Sequence, residues 1–229
     1  MITIGHRGAM GYAPENTLLS FEKAIPLCDM VELDVYVCLT GEVVVFHDIY
    51  LDRCTNGSGY VFEKTFDELR ALDAGEGQQI PTLTEVLDLV DNRVKINIEL
   101  KGNNTAAPVR KVLQPYLKSK KYQPEDFVVS SFNHPELLIF HTLAPDIPIG
   151  CLISCIPADL AAIGASVHAT YLNVCGEFIS AELVEDAHRR GLKVLVWTIN
   201  EPEDIAYMKE LGVDGIFSNY PDRVAPVKP

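Results

Sequence analysis

Short apolar runs rich in β-branched residues alternate with amphipathic segments along the whole chain of 229 residues. The runs that predict strands lie at 2–5, 30–37, 95–100, 127–131, 147–152, 171–174, 192–198 and 215–218. The segments with helical periodicity lie at 17–25, 83–90, 106–120, 135–143, 158–163, 181–190 and 203–211. Near-continuous apolar strands that alternate with helices about eight times predict a parallel sheet covered by helices.

A closed (β/α)8 barrel, the TIM barrel, and an open doubly wound sheet both satisfy this alternation. Polar residues favour the barrel because they gather at the carboxyl ends of several strands, where barrel enzymes build their active sites. These residues are His6, Asp34, Glu99, Lys101 and Trp197. A barrel of about 250 residues would use nearly all of the chain, so we expect one domain over 1–229.

The segment at about 49–80 breaks the alternation. It is rich in glycine, with a short helical stretch near 66–72. It follows a predicted hairpin in which 43–48 returns along 30–37 after a turn at Thr40 and Gly41. We therefore expect a small insertion after this second-strand hairpin rather than a further domain.

The acidic composition restricts the partners. A net charge of -13 repels phosphate backbones and anionic lipids, which argues against nucleic acid and membrane surfaces and leaves a small-molecule substrate. No apolar run is long enough to span a membrane. The cysteines form no CxxC pair, and the first residues resemble no secretion signal, so we expect a cytoplasmic location. The oligomeric state is left open.

Three carboxylates stand at alternate positions of predicted strands. Glu32 and Asp34 share one face of the second strand, and Glu99 shares a face with Asn97 and Lys101. Clustered acids repel one another unless a cation lies between them. Oxygen ligands without cysteine favour one divalent cation, Mg²⁺ or Ca²⁺, over Zn²⁺. The alternative is a structural Glu99–Lys101 ion pair with Glu32 merely solvated.

Two histidines are candidates for proton transfer, because imidazole titrates near neutral pH. A two-residue hairpin loop would pair residues whose numbers sum to 81 and place His47 opposite Asp34. His6 ends the first strand between Gly5 and the Arg7-Gly8 pair. We favour His47 as the acid and His6 as the base, although the sequence alone leaves this division open.

Other residues at the strand ends suit an anionic organic substrate. Arg7 and Lys101 are cations that could contact a phosphate. Trp197 could stack on the carbon skeleton of a substrate, with core packing as the alternative. Asn16 could support a metal ligand or cap the helix that follows it.

The chain resembles the glycerophosphodiester phosphodiesterase family. Its motifs occur in family order: Gly5-His6-Arg7-Gly8, Pro14-Glu15-Asn16-Thr17, Glu32-Leu33-Asp34-Val35, Phe46-His47-Asp48, Ile80-Pro81-Thr82-Leu83, Glu99-Leu100-Lys101 and Gly212-Val213-Asp214-Gly215. The resemblance implies a (β/α)8 barrel that hydrolyses glycerophosphodiesters to sn-glycerol 3-phosphate and an alcohol. It also implies Glu32, Asp34 and Glu99 as metal ligands, His6 and His47 as the acid–base pair, and Arg7 and Lys101 on the phosphate.

One departure from the family occurs near the carboxyl end. Ser218 and Asn219 stand where many relatives have Thr-Asp. Since this pair follows the last strand, we expect it to affect loop structure rather than catalysis. Three other functions remain as alternatives: a phospholipase-type phosphodiesterase on a similar barrel, a metal-dependent barrel hydrolase of carbonyl substrates, and a non-catalytic phosphate-binding barrel.

Overall fold

The computed structural model describes residues 1–224, so the part of the predicted domain at 225–229 lies outside the described residues. The strands are β1 Ile2–Gly5, β2 Met30–Val37, β3 Val43–Val45, β4 Lys95–Leu100, β5 Phe127–Ser131, β6 Ile149–Ile153, β7 Tyr171–Cys175, β8 Lys193–Trp197 and β9 Gly215–Ser218. The helices are α1 Leu18–Ala24, α2 Phe66–Arg70, α3 Leu83–Val90, α4 Ala106–Lys118, α5 His134–Leu143, α6 Ala162–Ser166, α7 Ala181–Arg189 and α8 Pro202–Glu210.

The parallel strands close into a barrel. Their order is β1-β9-β8-β7-β6-β5-β4-β2, and β1 also pairs with β2, so the sheet has no open edge between its first and last parallel strands. β3 adds to β2 as an antiparallel strand. The predicted (β/α)8 barrel is confirmed, and the open doubly wound sheet is excluded.

The hairpin register differs from the predicted one. β2 and β3 pair residues whose numbers sum to 80, such as Val35 with Val45. The loop has three residues and ends at Gly41, whose φ of 101° lies in the left-handed region that such loops require. The prediction that His47 lies opposite Asp34 is therefore wrong by one residue. His47 follows β3 and approaches the barrel mouth from a loop instead.

Apolar side chains cover both faces of the barrel strands, the inner and the outer, which explains the near-continuous apolar runs. On the outer face they pack against the helices. Inside, a smaller cluster occupies the axis: Ile4, Met30, Val128, Tyr171, Leu195 and Phe217. Because this cluster fills the interior, a ligand can enter only above it, at the carboxyl ends of the strands.

The insertion between β3 and α3 has a buried cluster of its own. Its members are Tyr36, Cys38, Val44, Phe46, Leu51, Val61, Leu69, Ala74 and Ile80, so it also packs on the β2–β3 hairpin. A capping box begins α2, in which Thr65 and Glu68 exchange hydrogen bonds. These contacts hold the insertion beside the barrel mouth.

The helix bounds mostly follow the predicted ones. The capping box of Thr82 and Glu85 begins α3. The predicted helix at 158–163 is displaced, because the helical segment there is Ala162–Ser166. Among the described residues, no helix has the length and apolar character needed to cross a membrane.

Candidate active site

The predicted polar residues meet in one pocket at the carboxyl ends of the strands. Its lining residues are His6, Arg7, Glu32, His47, Asn97, Glu99, Lys101, Ser130, Phe132, Leu152, Asn173, Trp197 and Phe217. Asp34 lies beside the pocket, because its carboxylate is within 4.8 Å of the carboxylates of Glu32 and Glu99, which line it. Every residue that the sequence predicted as a site residue therefore lies in or beside this pocket.

Three carboxylates form its most concentrated charge. Glu32 and Asp34 project from β2, and the β2–β4 register places Asp34 beside Glu99. One oxygen from each residue lies within 4.8 Å of the others. Glu32 and Asp34 are almost fully buried. Three oxygen donors this close, without a sulfur ligand, fit a hard divalent cation.

The pKa values of this cluster show the same need for positive charge. Burial raises the pKa of Glu99 to about 7, and the Asp34 charge adds to the rise while Lys101 opposes it. Burial and the charges of Asp34 and Glu99 raise the pKa of Glu32 well above its ordinary value. A cation among the carboxylates would remove this mutual repulsion.

The protein supplies part of the compensating charge. Lys101 Nζ lies 2.9 Å from Glu99 Oε1 and 3.9 Å from Asp34 Oδ1. The backbone N–H of Arg7 donates to Glu32 Oε2 over 2.8 Å, and Arg7 Nε lies 3.5 Å from Asp34 Oδ2. The Glu99–Lys101 ion pair is thus present, and Arg7 supplies a second cation beside Asp34.

A strained turn places His6. Arg7 and Gly8 have φ values of 50° and 82°, and a Cβ on Gly8 would lie 2.4 Å from Ser20 Oγ. Only glycine fits at that position. The turn directs the His6 ring into the pocket, where burial, with the charge of Arg7, lowers its pKa to about 4.

Asn219 holds the His6 ring. His6 Nδ1 and Asn219 Oδ1 are 2.8 Å apart, and because a carbonyl oxygen only accepts, Nδ1 carries the proton and Nε2 is left with its lone pair. The backbone N–H of Asn219 donates to Asn200 Oδ1 over 2.9 Å. The Ser218-Asn219 departure was expected to affect only loop structure, but Asn219 also contacts a candidate catalytic histidine.

His47 reaches the pocket from the loop after β3. Its Nδ1 lies 2.6 Å from Asp48 Oδ1, and its Nε2 lies 3.2 Å from Lys101 Nζ. Burial lowers the pKa of His47, while the charge of Asp34 and the hydrogen bond to Asp48 oppose that effect. The two histidines thus differ in their partners, since Asp48 is charged and Asn219 is neutral.

An ion-pair network links the insertion to the barrel. Arg53 bonds Asp48 Oδ2 over 2.5 Å and both Glu15 oxygens over 2.7 Å, and Glu15 also bonds Arg7 over 2.7 Å. Arg53 was not predicted from the sequence, because the insertion has no periodic pattern that locates its side chains. Glu15 could have been predicted, since it precedes Asn16 in the motif Pro14-Glu15-Asn16-Thr17.

Asn16 supports the carboxylates instead of capping a helix. Its Nδ2 donates to Asp34 Oδ2 over 2.9 Å, and its Oδ1 accepts from the Asp34 backbone N–H over 3.3 Å. The N-cap of α1 is Thr17, whose hydroxyl accepts from the Ser20 backbone N–H. Of the two roles proposed for Asn16, the structure therefore supports the first.

The opposite side of the pocket is neutral. The rings of Trp197 and Phe132 meet edge to face with centroids 5.5 Å apart, and Trp197 Nε1 donates to the Asn173 carbonyl over 3.3 Å. Trp197 lines the pocket, so its surface is available to a ligand. Phe132, which follows β5, was not predicted from the sequence.

Residues 6–223 match the sequence model of the glycerophosphoryl diester phosphodiesterase family. A glycerophosphodiester phosphodiesterase of Caldanaerobacter subterraneus subsp. tengcongensis is 36% identical over 236 residues, covering 96% of this chain and 95% of that protein. A glycerophosphodiester phosphodiesterase of Bacillus subtilis is 32% identical over 253 residues, covering 100% of this chain and 86% of that protein.

Solved structures agree with these sequence relatives. An Oleispira antarctica phosphodiesterase in complex with the product sn-glycerol-3-phosphate superimposes with a TM-score of 0.89 at 32% identity. That alignment covers 96% of this chain and 94% of the Oleispira chain. The barrel and its order of strands are therefore shared with a phosphodiesterase that holds a phosphorylated glycerol.

Proposed function

This chain belongs to the glycerophosphoryl diester phosphodiesterase family, and on that premise we propose that it hydrolyses glycerophosphodiesters to sn-glycerol 3-phosphate and an alcohol. The observation that carries the proposal is the cluster of Glu32, Asp34 and Glu99 beside two histidines and two cations. The related Oleispira phosphodiesterase holds sn-glycerol-3-phosphate as its product, which supports the same product class here.

We propose that the three carboxylates hold one divalent cation, Mg²⁺ or Ca²⁺. When bound, such a cation stabilises negative charge on the phosphoryl oxygens. Arg7 and Lys101 stand beside the carboxylates, so a divalent cation would add to the positive charge that faces the phosphate. That charge complements the single negative charge of a phosphodiester.

Arg7 and Lys101 are proposed to contact the phosphate. Each is anchored by a carboxylate, Arg7 by Glu15 and Lys101 by Glu99, and each keeps further N–H donors that can face the pocket. Anchoring fixes the direction of these donors before the substrate arrives, which lowers the cost of binding an anion. Trp197 and Phe132 are proposed to pack on the carbon skeleton.

The two histidines are proposed to transfer protons, His6 as the base and His47 as the acid. Asn219 holds the His6 Nδ1–H, and the low pKa of the ring keeps Nε2 unprotonated near neutral pH. Nε2 can then take a proton from the attacking hydroxyl. Burial lowers the pKa of His47, and the Asp48 carboxylate, which accepts from Nδ1, opposes that effect and favours the protonated ring. The protonated His47 can deliver a proton to the departing alcohol oxygen.

Release of sn-glycerol 3-phosphate tests this function. Purified protein would be assayed on glycerophosphocholine, glycerophosphoethanolamine, glycerophosphoglycerol, glycerophosphoinositol and intact phosphatidylcholine, with Mg²⁺ or Ca²⁺ and with chelator. We expect cleavage of soluble glycerophosphodiesters, its loss with chelator, and no cleavage of the intact phospholipid. Cleavage of phosphatidylcholine in preference to its deacylated form, or full activity in chelator, would contradict the proposal.

A further inference from the structure

Arg53, a residue of the insertion, binds two carboxylates with one guanidinium group. Its Nε donates to Asp48 Oδ2 over 2.5 Å, and its Nη2 donates to Asp48 Oδ1 over 3.0 Å. Its Nη1 and Nη2 donate to Glu15 Oε2 and Oε1, each over 2.7 Å. Both contacts are therefore bidentate, a geometry that the planar fork of arginine provides and the single ammonium of lysine does not.

Each of these carboxylates holds a residue that lines the pocket. Asp48 Oδ1 accepts from His47 Nδ1 over 2.6 Å, and Glu15 Oε1 accepts from Arg7 Nη1 over 2.7 Å. His47 and Arg7 line the pocket, whereas Arg53 is not one of its lining residues. Arg53 can therefore influence the pocket only through Asp48 and Glu15.

The two carboxylates depend on Arg53 to different extents. Without Arg53, Glu15 would keep its ion pair with Arg7. Within residues 1–224, the side-chain partners of Asp48 are Arg53 and the His47 ring alone. Arg53 Nη2 also lies between the two carboxylates, so its removal would leave two negative groups facing each other. The loss of Arg53 should therefore disturb Asp48 more than Glu15.

Asp48 in turn fixes the state of the His47 ring. Lys101 Nζ can only donate, so His47 Nε2 accepts from it over 3.2 Å and Nδ1 carries the proton that Asp48 accepts. This hydrogen bond sets the tautomer and leaves Nε2 as the atom that exchanges a proton on the pocket side. Because Arg53 binds both oxygens of Asp48, the carboxylate is held from behind and the ring keeps one direction.

A contribution to folding does not explain this arrangement. The Arg53 side chain is 50% exposed, and ion pairs of exposed groups contribute little to folding stability. The hydrogen bonds from Arg53 hold the pKa of Asp48 well below its ordinary value, so Asp48 stays ionised behind His47. The geometry and the charge of the contact both favour a role in orienting His47.

We propose that Arg53 is a positioning residue for His47, which acts through Asp48 and makes the insertion part of the active site. The inference rests on the proposed function, in which the proton of His47 Nε2 passes to the departing alcohol oxygen as the bond between that oxygen and phosphorus breaks. It adds that this transfer depends on a residue of the insertion that does not line the pocket.

The test compares a leaving group that needs a proton with one that does not. Choline leaves glycerophosphocholine as an alcohol, whereas p-nitrophenol leaves the p-nitrophenyl ester of glycerol 3-phosphate as a stable anion. Weaker general-acid catalysis therefore slows cleavage of the first substrate far more than that of the second.

Arg53→Ala should show this difference in kcat. On glycerophosphocholine we expect kcat to fall by about 10- to 100-fold, the scale for a reacting group misplaced by about 1 Å. On the p-nitrophenyl ester kcat should stay within about threefold of wild type. KM for both substrates should also stay within about threefold, because Arg7 keeps its partner Glu15.

Three further variants complete the experiment. Arg70→Ala is the matched control, since Arg70 also joins the insertion to a barrel carboxylate, that of Glu85 on α3, and neither residue lines the pocket. It should leave both kcat values unchanged. Arg53→Lys keeps the charge without the bidentate geometry, so it should recover only part of the lost kcat. His47→Ala should show the same selectivity between substrates as Arg53→Ala, with a larger loss.

Inhibition by sn-glycerol 3-phosphate shows whether the pocket of Arg53→Ala is intact. We expect its inhibition constant to match that of wild type. An inhibition constant that rises as much as kcat falls would mean that Arg53 supports the pocket as a whole, which would overturn the inference.

The kinetic outcomes separate this inference from the proposed function. Equal losses on both substrates in Arg53→Ala, wild-type kcat in that variant, full recovery in Arg53→Lys, or a similar loss in Arg70→Ala would each overturn the positioning role. Equal losses on both substrates in His47→Ala would refute the acid role of His47 and this inference with it. A wild-type protein that cleaves neither substrate would refute the proposed function itself.

Discussion

The two halves of the pocket are built from different chemistry. The charged half comes from β1, β2, β4 and the loop after β3, and its residues are His6, Arg7, Glu32, His47, Glu99 and Lys101. The neutral half comes from β5 to β9 and the loop after β5, and its residues are Ser130, Phe132, Leu152, Asn173, Trp197 and Phe217. On the proposed function, this difference corresponds to bond cleavage on one side and selection of the organic group on the other.

The halves are also held in place differently. In the charged half, each reactive group has a fixed polar partner, as in the His47–Asp48 and Glu99–Lys101 pairs. In the neutral half, the rings of Phe132 and Trp197 pack against each other. A substitution in the charged half therefore leaves charges unpaired, whereas a substitution in the neutral half mainly alters shape and hydrogen bonding. The two kinds of variant should have different kinetic signatures.

Removal of a proton-transfer group should have the largest effect. His47→Ala should lower kcat on glycerophosphocholine by about 10²- to 10⁴-fold, the usual contribution of general acid–base catalysis. Thermal unfolding should show a folded protein, since His47 lies in a loop outside the core clusters. His141→Ala, at the end of α5 away from the pocket, is the control. A folded His47→Ala protein with wild-type turnover would remove His47 from the mechanism.

Loss of one carboxylate from the cluster should have the second-largest effect on activity. Glu99→Gln should lower kcat/KM by about 10²- to 10³-fold, as expected when one electrostatic contributor to a charged site is lost. It should also raise the Mg²⁺ or Ca²⁺ concentration needed for half-maximal activity. Glu203→Gln, an exposed change on α8, should alter neither quantity. An unchanged metal requirement in Glu99→Gln would separate Glu99 from metal binding.

A charge placed next to His6 should move the pH profile. The base must be neutral to act, so activity falls as pH drops through its pKa, which is about 4 in this protein. A carboxylate 2.8 Å from Nδ1 stabilises the protonated ring, so Asn219→Asp should raise that pKa by about 1–3 units. The acid limb of kcat/KM should move to higher pH by that amount. If the limb keeps its position in this variant, Asn219 has no influence on the base.

The smallest effect is expected in the neutral half. Trp197→Leu keeps an apolar residue but removes the ring and its hydrogen bond to the Asn173 carbonyl. KM should rise by about 10-fold or less, with kcat changed by less than about threefold, because packing on the carbon skeleton is lost equally in the ground and transition states. A fall in kcat as large as that of His47→Ala would show that the halves are not functionally separate.

The fold was predictable because the sequence repeats one simple pattern. Strands buried on both faces produce apolar runs, and helices between them produce the 3.6-residue period. The carboxylates were predictable for the same reason, since Glu32 and Asp34 interrupt an apolar strand at alternate positions. The parallel register of β2 with β4 then brings Glu99 to Asp34.

Residues placed by loops were harder to predict. The hairpin register failed by one residue because Gly41 ends a three-residue loop, which the sequence does not distinguish from a two-residue loop. Asn219 lies 213 positions from His6 in the chain, and the contact exists only because β9 pairs with β1. A periodic pattern of apolar residues in the sequence cannot predict a contact between residues so far apart in the chain. Arg53 lies in the insertion, where the chain has no repeating pattern.

The most direct measurement is the location of a bound divalent cation. Crystals grown with Mn²⁺, a hard cation that suits carboxylate ligands and scatters anomalously, would be measured near the manganese absorption edge. The account predicts one strong anomalous peak among the carboxylates of Glu32, Asp34 and Glu99. A protein that is active with Mn²⁺ but whose crystals show no peak there, or a peak elsewhere, would contradict it.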